Sequence, residues 1–226
     1  MNLKRSFLFV LNVFVFAVSV NAQATYDTSF HFYYYDQKLS LFELMPKQKN
    51  AIIWVGDSIT DIGEWNELFP NEKNLNRGIS SDNTFGVLNR LKEITRQKPK
   101  KLFLMIGIND LARNIPDQII LRNFKRIISQ IQKETPATKL YIQSILPTNN
   151  EFSLFPAYQN KISHIQYINK ELSVLCAARK ISYVDLFSHF TNTQGKLDKR
   201  YTNDGVHLTG EGYKKWKSIL LANKLM

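Results

Sequence analysis

Residues 51–65 read AIIWVGDSITDIGEW. Five apolar residues, Ala51 to Val55, run without a polar break and stop at Gly56, Asp57 and Ser58. A short apolar run bounded by turn residues reads as a strand buried on both faces. Such strands belong to parallel sheets covered by helices. The rhythm continues downstream with LNRGI (75–79), KLFLMI (101–106), KLYIQSIL (139–146) and ISYVD (181–185). Between these runs lie helical patterns at 84–94, 116–134 and 158–180, and a last one follows Thr209. In 116–134, Ile119, Ile120, Phe124, Ile127, Ile128 and Ile131 recur at helical spacing, with Arg122, Lys125 and Arg126 between them. Alternation of this kind, with right-handed crossovers, predicts an α/β fold built on a doubly wound, about five-stranded parallel sheet.

Upstream of this domain, 51–226, two segments differ in character. Lys4 and Arg5 precede an almost wholly apolar stretch, Phe7 to Val20, which ends in Val20-Asn21-Ala22. That is the pattern of a secretory signal peptide over residues 1–22, cleaved after Ala22. Export to the periplasm or the medium is the corresponding expectation. The apolar run is shorter than the roughly 20 residues a membrane span needs, so no stable membrane insertion is expected after the leader is removed. Residues 23–50 are aromatic-rich and non-periodic, and read as an N-terminal arm laid over the domain, with Tyr33, Tyr34 and Tyr35 available for sugar stacking or for packing.

The chain carries 30 Lys and Arg against 19 Asp and Glu, a formal net charge of +11. Its basic residues are scattered and do not interleave with aromatics as in a nucleic-acid groove, so a nucleic-acid partner is not expected. An anionic glycan or membrane surface remains compatible with the charge. The single cysteine, Cys176, cannot form an internal disulfide and sits in a helical pattern as a small buried residue.

Ligands of open parallel sheets bind beyond the carboxyl ends of the strands, and small, polar and acidic residues gather there. Ser58-Ile59-Thr60-Asp61 fits a helix capping box, yet a serine entering a helix can also face a substrate. Asn109 and Asp110 follow the third strand as turn, cap or site residues. Among the four histidines, His207 follows Asp204 by three residues across Gly205, which lets a carboxylate hold one ring nitrogen while the other faces outward. His189, four residues after Asp185, is the competitor. A phosphate loop is missing after the first strand. Asp57, Asp82, Asp110, Asp204 and His207 offer one histidine and no clustered cysteine, a poor transition-metal set, so neither metal nor cofactor is expected.

The segments GDSIT, NRGIS, GIND and DGVH stand in this order. Together they resemble the four signatures of the SGNH hydrolases, also called GDSL esterases, over most of the chain from about Leu41. NRGISSDNTFGVLNRL is similar to the branch containing platelet-activating-factor acetylhydrolase catalytic subunits and bacterial carbohydrate acetylesterases. The resemblance implies a flavodoxin-like three-layer α/β/α sandwich. It implies Ser58 as nucleophile, His207 as general base and acid, and Asp204 as its orienting partner. The N–H groups of Ser58 and Gly78 and the Asn109 side-chain amide would form the oxyanion hole. The implied activity is hydrolysis of short-chain acetyl esters, most of all O-deacetylation of carbohydrate, with a small-molecule or glycan ester as substrate. A lysophospholipase, a thioesterase or a non-catalytic carbohydrate-binding protein are the other readings. Phe152, Leu154 and Phe155, in the loop after the fourth strand, are expected either to close the acyl end of the pocket or simply to pack.

Overall fold

The structure, a computed structural model, describes residues 26–226; the expected leader lies outside them. Five strands, β1 (Ile52–Gly56), β2 (Asn74–Gly78), β3 (Lys101–Met105), β4 (Lys139–Gln143) and β5 (Ser182–Val184), lie in the order β2-β1-β3-β4-β5. Every neighbouring pair is parallel. The expected doubly wound sheet is therefore the observed one.

Alternation along the strands builds the two outer layers, because successive side chains point to opposite faces. Ile53, Val55, Leu102, Leu104, Leu140 and Ile142 face one way. They meet α4 (Thr84–Asn89), α5 (Leu91–Arg96), α7 (Asp117–Glu134) and α8 (Ile162–Arg179). Cys176 is buried in this layer, as its helical setting predicts. Ile52, Trp54, Phe103, Met105 and Tyr141 face the other way, against α3 (Trp65–Leu68), α9 (Phe187–Phe190) and α10 (Gly210–Ala222). On this second face, register aligns Trp54 with Phe103 and Phe103 with Tyr141. Their rings stack at 4.6 Å in both steps, and Trp65 stacks on Trp54 at 3.8 Å. This dry aromatic row fixes the height of the three central strand ends relative to one another.

Three elements differ from the sequence expectation, each for a local reason. The 84–94 helix is two helices with a break at Arg90, whose side chain turns inward beneath the sheet ends. The 158–180 helix starts only at Ile162, because Pro156–Tyr158 forms a single 3₁₀ turn and Asn160 takes φ +57. Within the arm, Tyr33–Leu44 is a helix, α1, that buries Tyr35 and Phe42 against Ile79. Tyr35 is buried and donates to the Gly86 carbonyl, so its ring is not free for a sugar; Tyr34 is half-buried and donates to Asp61, and Tyr33 is exposed. Among the described residues, no helix is long and apolar enough to cross a membrane.

Candidate active site

In strand order 2-1-3 the direction of winding reverses between β1 and β3, and the loops that leave these two strands part to form a crevice. The loop after β1 is one residue long. Asp57 caps the short helix α2 (Ser58–Asp61), its Oδ1 accepting the Ile59 N–H at 3.0 Å. The capping role expected of Ser58 thus belongs to Asp57, and Ser58 is the first helical residue. Asp61 does not close a capping box either. It accepts from Tyr34, Lys38 and Ser80 instead. With its backbone placed by Asp57, the Ser58 hydroxyl is free to face outward.

His207 Nε2 lies 2.9 Å from Ser58 Oγ, and its Nδ1 lies 2.7 Å from Asp204 Oδ2. Asp204 Oδ1 accepts the N–H groups of Val206 and His207, both at 2.8 Å. Burial opposes ionisation of Asp204, but these two N–H groups and the imidazole outweigh it and hold the carboxyl below its ordinary range. An ionised Asp204 can only accept, so the ring proton sits on Nδ1 and Nε2 is left to accept from Ser58. The turn that brings Asp204 and His207 together requires Gly205: its φ is +87, and a Cβ there would collide with the Asn149 carbonyl. His189, by contrast, is exposed on α9 and takes no part in the site.

Oxyanion donors were expected from Ser58, Gly78 and Asn109. The Ser58 N–H has no acceptor among the described residues. Asn109 lies in the first turn of α6 (Ile108–Ala112), 3% exposed. Its Nδ2 donates one hydrogen to the Asp82 carbonyl at 2.8 Å, which leaves the second for the crevice. Gly78 does not fit the expectation. Its N–H already donates to Asn76 Oδ1 at 2.9 Å. Its missing side chain admits the backbone of α2, since a Cβ would collide with Asp61. Three residues on, Ser81 takes φ +67 and is exposed, and its N–H has no acceptor among the described residues. Ser81 adjoins Asp82, the residue whose carbonyl holds the Asn109 amide, so this free N–H belongs to the same side of the crevice as Asn109. Sequence reasoning looked for a glycine and passed over a serine in the left-handed region.

Beneath the crevice lies a buried polar layer. Arg90 Nε reaches Asp82 Oδ2 at 2.9 Å, and its terminal nitrogens donate to the Arg77 and Gly56 carbonyls at 2.7 and 3.2 Å. Asp110 accepts from the Thr84 N–H at 3.0 Å and the Thr84 hydroxyl at 2.5 Å. Burial pushes Asp57 and Asp110 up to about 7. It raises Asp82 to about 6, despite Arg90.

Of the three residues expected in the loop after β4, only Phe155 meets the site, edge-on to the His207 ring at 5.3 Å. Phe152 packs under Gly205 and Leu154 is 67% exposed. Tyr158 was not foreseen. Its hydroxyl donates to Asn109 Oδ1 at 2.6 Å. A small, mostly apolar cavity is lined by Ile59, Ile108 and Val206, the sequence neighbours of Ser58, Asn109 and His207, together with Leu146 and the polar Asp57 and Thr148. It has room for ≈ 10 Å³, about what one small group needs.

A family model described as GDSL-like lipase/acylhydrolase matches residues 54–215. Platelet-activating factor acetylhydrolase IB subunit alpha2 of Rattus norvegicus is 28% identical over 170 residues, which cover 73% of this chain and 71% of that protein. A solved structure from Streptococcus pneumonia is 30% identical, covers 84% of this chain and 90% of its own, and superposes with a TM-score of 0.75. A GDSL-like lipase from Bacteroides thetaiotaomicron, 22% identical, shares the fold over 85% of this chain and 98% of its own, with a TM-score of 0.74.

Proposed function

Because the chain belongs to the GDSL-like lipase/acylhydrolase family, the SGNH hydrolases, we propose that it is an exported serine esterase that removes short acyl groups, chiefly acetyl, from carbohydrate. The observation that carries the catalytic part is the relay from Ser58 Oγ through His207 to Asp204, at 2.9 and 2.7 Å.

A serine hydroxyl is a weak nucleophile until a base takes its proton as it attacks. His207 Nε2 is that base here, with Asp204 holding the tautomer and stabilising the imidazolium. Attack on the ester carbonyl moves charge onto its oxygen. The N–H groups of Ser58 and Ser81 and the second Nδ2 hydrogen of Asn109 meet that oxygen; fixed donors of this kind favour the transition state over the ground state. Imidazolium then returns its proton to the departing alcohol, and water repeats the sequence to release the acid from Ser58 Oγ.

Acetyl selectivity draws support from the small cavity between Ile59, Ile108 and Val206, which suits a methyl group, and from the name of the rat relative, an acetylhydrolase. The glycan rests on the similarity of the segment NRGISSDNTFGVLNRL to carbohydrate acetylesterases, and export on the leader pattern of residues 1–22. A second reading, a lysophospholipase or thioesterase, is favoured by one feature. An open groove of ≈ 680 Å³ is lined by Ile62, Leu68 and Leu208, the residue that follows His207, and has room for a longer chain.

Esters of p-nitrophenol with acetate, butyrate and octanoate separate the two. Extra bulk forced into a packed site costs about 1–3 kcal/mol, roughly 5- to 150-fold in rate, so kcat/KM should peak at acetate and Ser58→Ala should abolish it. A maximum at octanoate would put the second reading first. Undiminished turnover by folded Ser58→Ala would refute the serine mechanism.

A further inference from the structure

We propose that Tyr158 is a positioning residue for the oxyanion donor Asn109, an inference that rests on the esterase reading above. An asparagine amide can present either its oxygen or its nitrogen to a ligand, and only the nitrogen stabilises an oxyanion. Two contacts fix the choice. The Asp82 carbonyl is an acceptor only, and it takes an Nδ2 hydrogen at 2.8 Å. On the other side of the amide, the Tyr158 hydroxyl donates to Oδ1 at 2.6 Å. Were the amide turned over, Oδ1 would face the Asp82 oxygen, with no proton between them.

The phenol does more than lock the orientation. A donor on the amide oxygen draws electron density away from nitrogen and leaves the second Nδ2 hydrogen more positive, the cooperative strengthening expected of chained hydrogen bonds in a low dielectric. Desolvation raises the Tyr158 pKa, so the hydroxyl stays protonated as a donor through the neutral range. The residue is delivered by the 3₁₀ turn Pro156–Tyr158, whose last carbonyl accepts from Thr148 at 3.2 Å. Phe155, which opens that turn, stands edge-on to both Tyr158 and His207, at 5.9 and 5.3 Å. One short loop therefore steadies the oxyanion donor and the base together.

Tyr158→Phe keeps the ring and removes only the hydroxyl, so the variant should fold with the thermal midpoint little changed. With p-nitrophenyl acetate, kcat should fall about 10-fold, a fraction of the 10²–10³-fold that loss of a whole oxyanion donor costs, and KM should stay within about twofold. A purely structural role would not predict the second result: in an Asn109→Ala background, Tyr158→Phe should cause no further loss of kcat, because its target is gone. Wild-type kcat in Tyr158→Phe overturns the proposal. So does a loss that multiplies in full on top of Asn109→Ala. If Asn109→Ala alone keeps wild-type kcat, Asn109 is no oxyanion donor and the role of Tyr158 falls with it, whereas the esterase reading is tested separately by Ser58→Ala.

Discussion

Arg90→Met should destabilise the protein far more than an ordinary arginine loss. The guanidinium is fully buried, with 0% exposure on both it and its partner Asp82. Methionine fills much of the same volume but satisfies none of the three acceptors, Asp82 Oδ2 and the carbonyls of Arg77 and Gly56. Removing one partner of a buried ion pair costs about 3–5 kcal/mol, because the other charge is left without compensation. In a chain of this size each kcal/mol moves the melting temperature by roughly 2–4 °C, so the expected loss is roughly 6–20 °C. The sign of its pH dependence also follows. Asp82 already titrates at about 6, above the ordinary carboxylate range, and losing Arg90 raises it further. A folded-state pKa raised above the unfolded value gives stability at low pH that is lost as pH climbs through the folded value. The deficit should therefore be larger at pH 8 than at pH 5. Asp82→Asn added to Arg90→Met removes the orphan charge, and should recover about half of the loss at pH 8 and flatten the difference between the two pH values. Calorimetric melts of wild type, Arg90→Met and the double variant make the measurement. A loss below about 4 °C at pH 8, or a double variant no more stable than Arg90→Met, would refute the reasoning.

Two further expectations follow from the site. Asp204→Asn keeps an oxygen for the Val206 and His207 N–H groups, but its amide places the ring proton on Nε2, where it blocks proton transfer from Ser58; kcat should fall about 10⁴-fold with the fold intact, and a loss under about 10-fold would exclude the tautomer role. Ser81→Gly relieves a left-handed backbone that costs an L-residue about 1–2 kcal/mol and retains the N–H, so the melting temperature should rise with kcat within about twofold, whereas a large drop in kcat would mean that the hydroxyl acts rather than the N–H.

Strands β1, β3 and β4 were legible because each holds an apolar run, and burial on both faces leaves no other use for such a run; β2, with Asn74, Asn76 and Arg77, and β5, with Ser182 exposed, were legible from their place in the alternation with helices. Helix α1 was not. Only Tyr35 and Phe42 of its twelve residues are buried, so no apolar stripe marks it, and it is held by contacts distant in sequence, with Ile79, Gly86 and Asp61. Ser58, Asp204, His207 and Asn109 could be found because the chemistry requires those side chains at strand ends and in a tight turn. The third N–H could not. Any residue type can supply a backbone donor, and what singles out Ser81 is a dihedral angle and a vacancy among hydrogen bonds. Gly78 drew attention for a sound reason, the need for close approach, but what approaches it is the backbone of α2. Tyr158 meets Asn109 across 49 residues of sequence, and no local pattern encodes that pairing.

The contacts of Asp61 bear on where this protein can be cut. Its carboxylate accepts Tyr34 and Lys38 from α1, and Ser80 from the loop before Ser81, while its own helix begins with Ser58. At the other end, Trp216 is wholly buried and donates to Gln143 at 2.8 Å, with Ile219 and Leu220 packed beyond it. The span that matches the family, 54–215, excludes Tyr34, Lys38, Trp216, Ile219 and Leu220. A fragment trimmed to it would carry every signature of the chemistry yet leave Asp61 without two of its partners and one sheet face without Trp216. The unit to express includes Tyr26 and runs through Met226, since Tyr26 packs on one layer, Leu225 and Met226 on the other, and Lys101 donates to the Leu225 carbonyl: the boundary set by physical contact is wider at both ends than the boundary set by likeness.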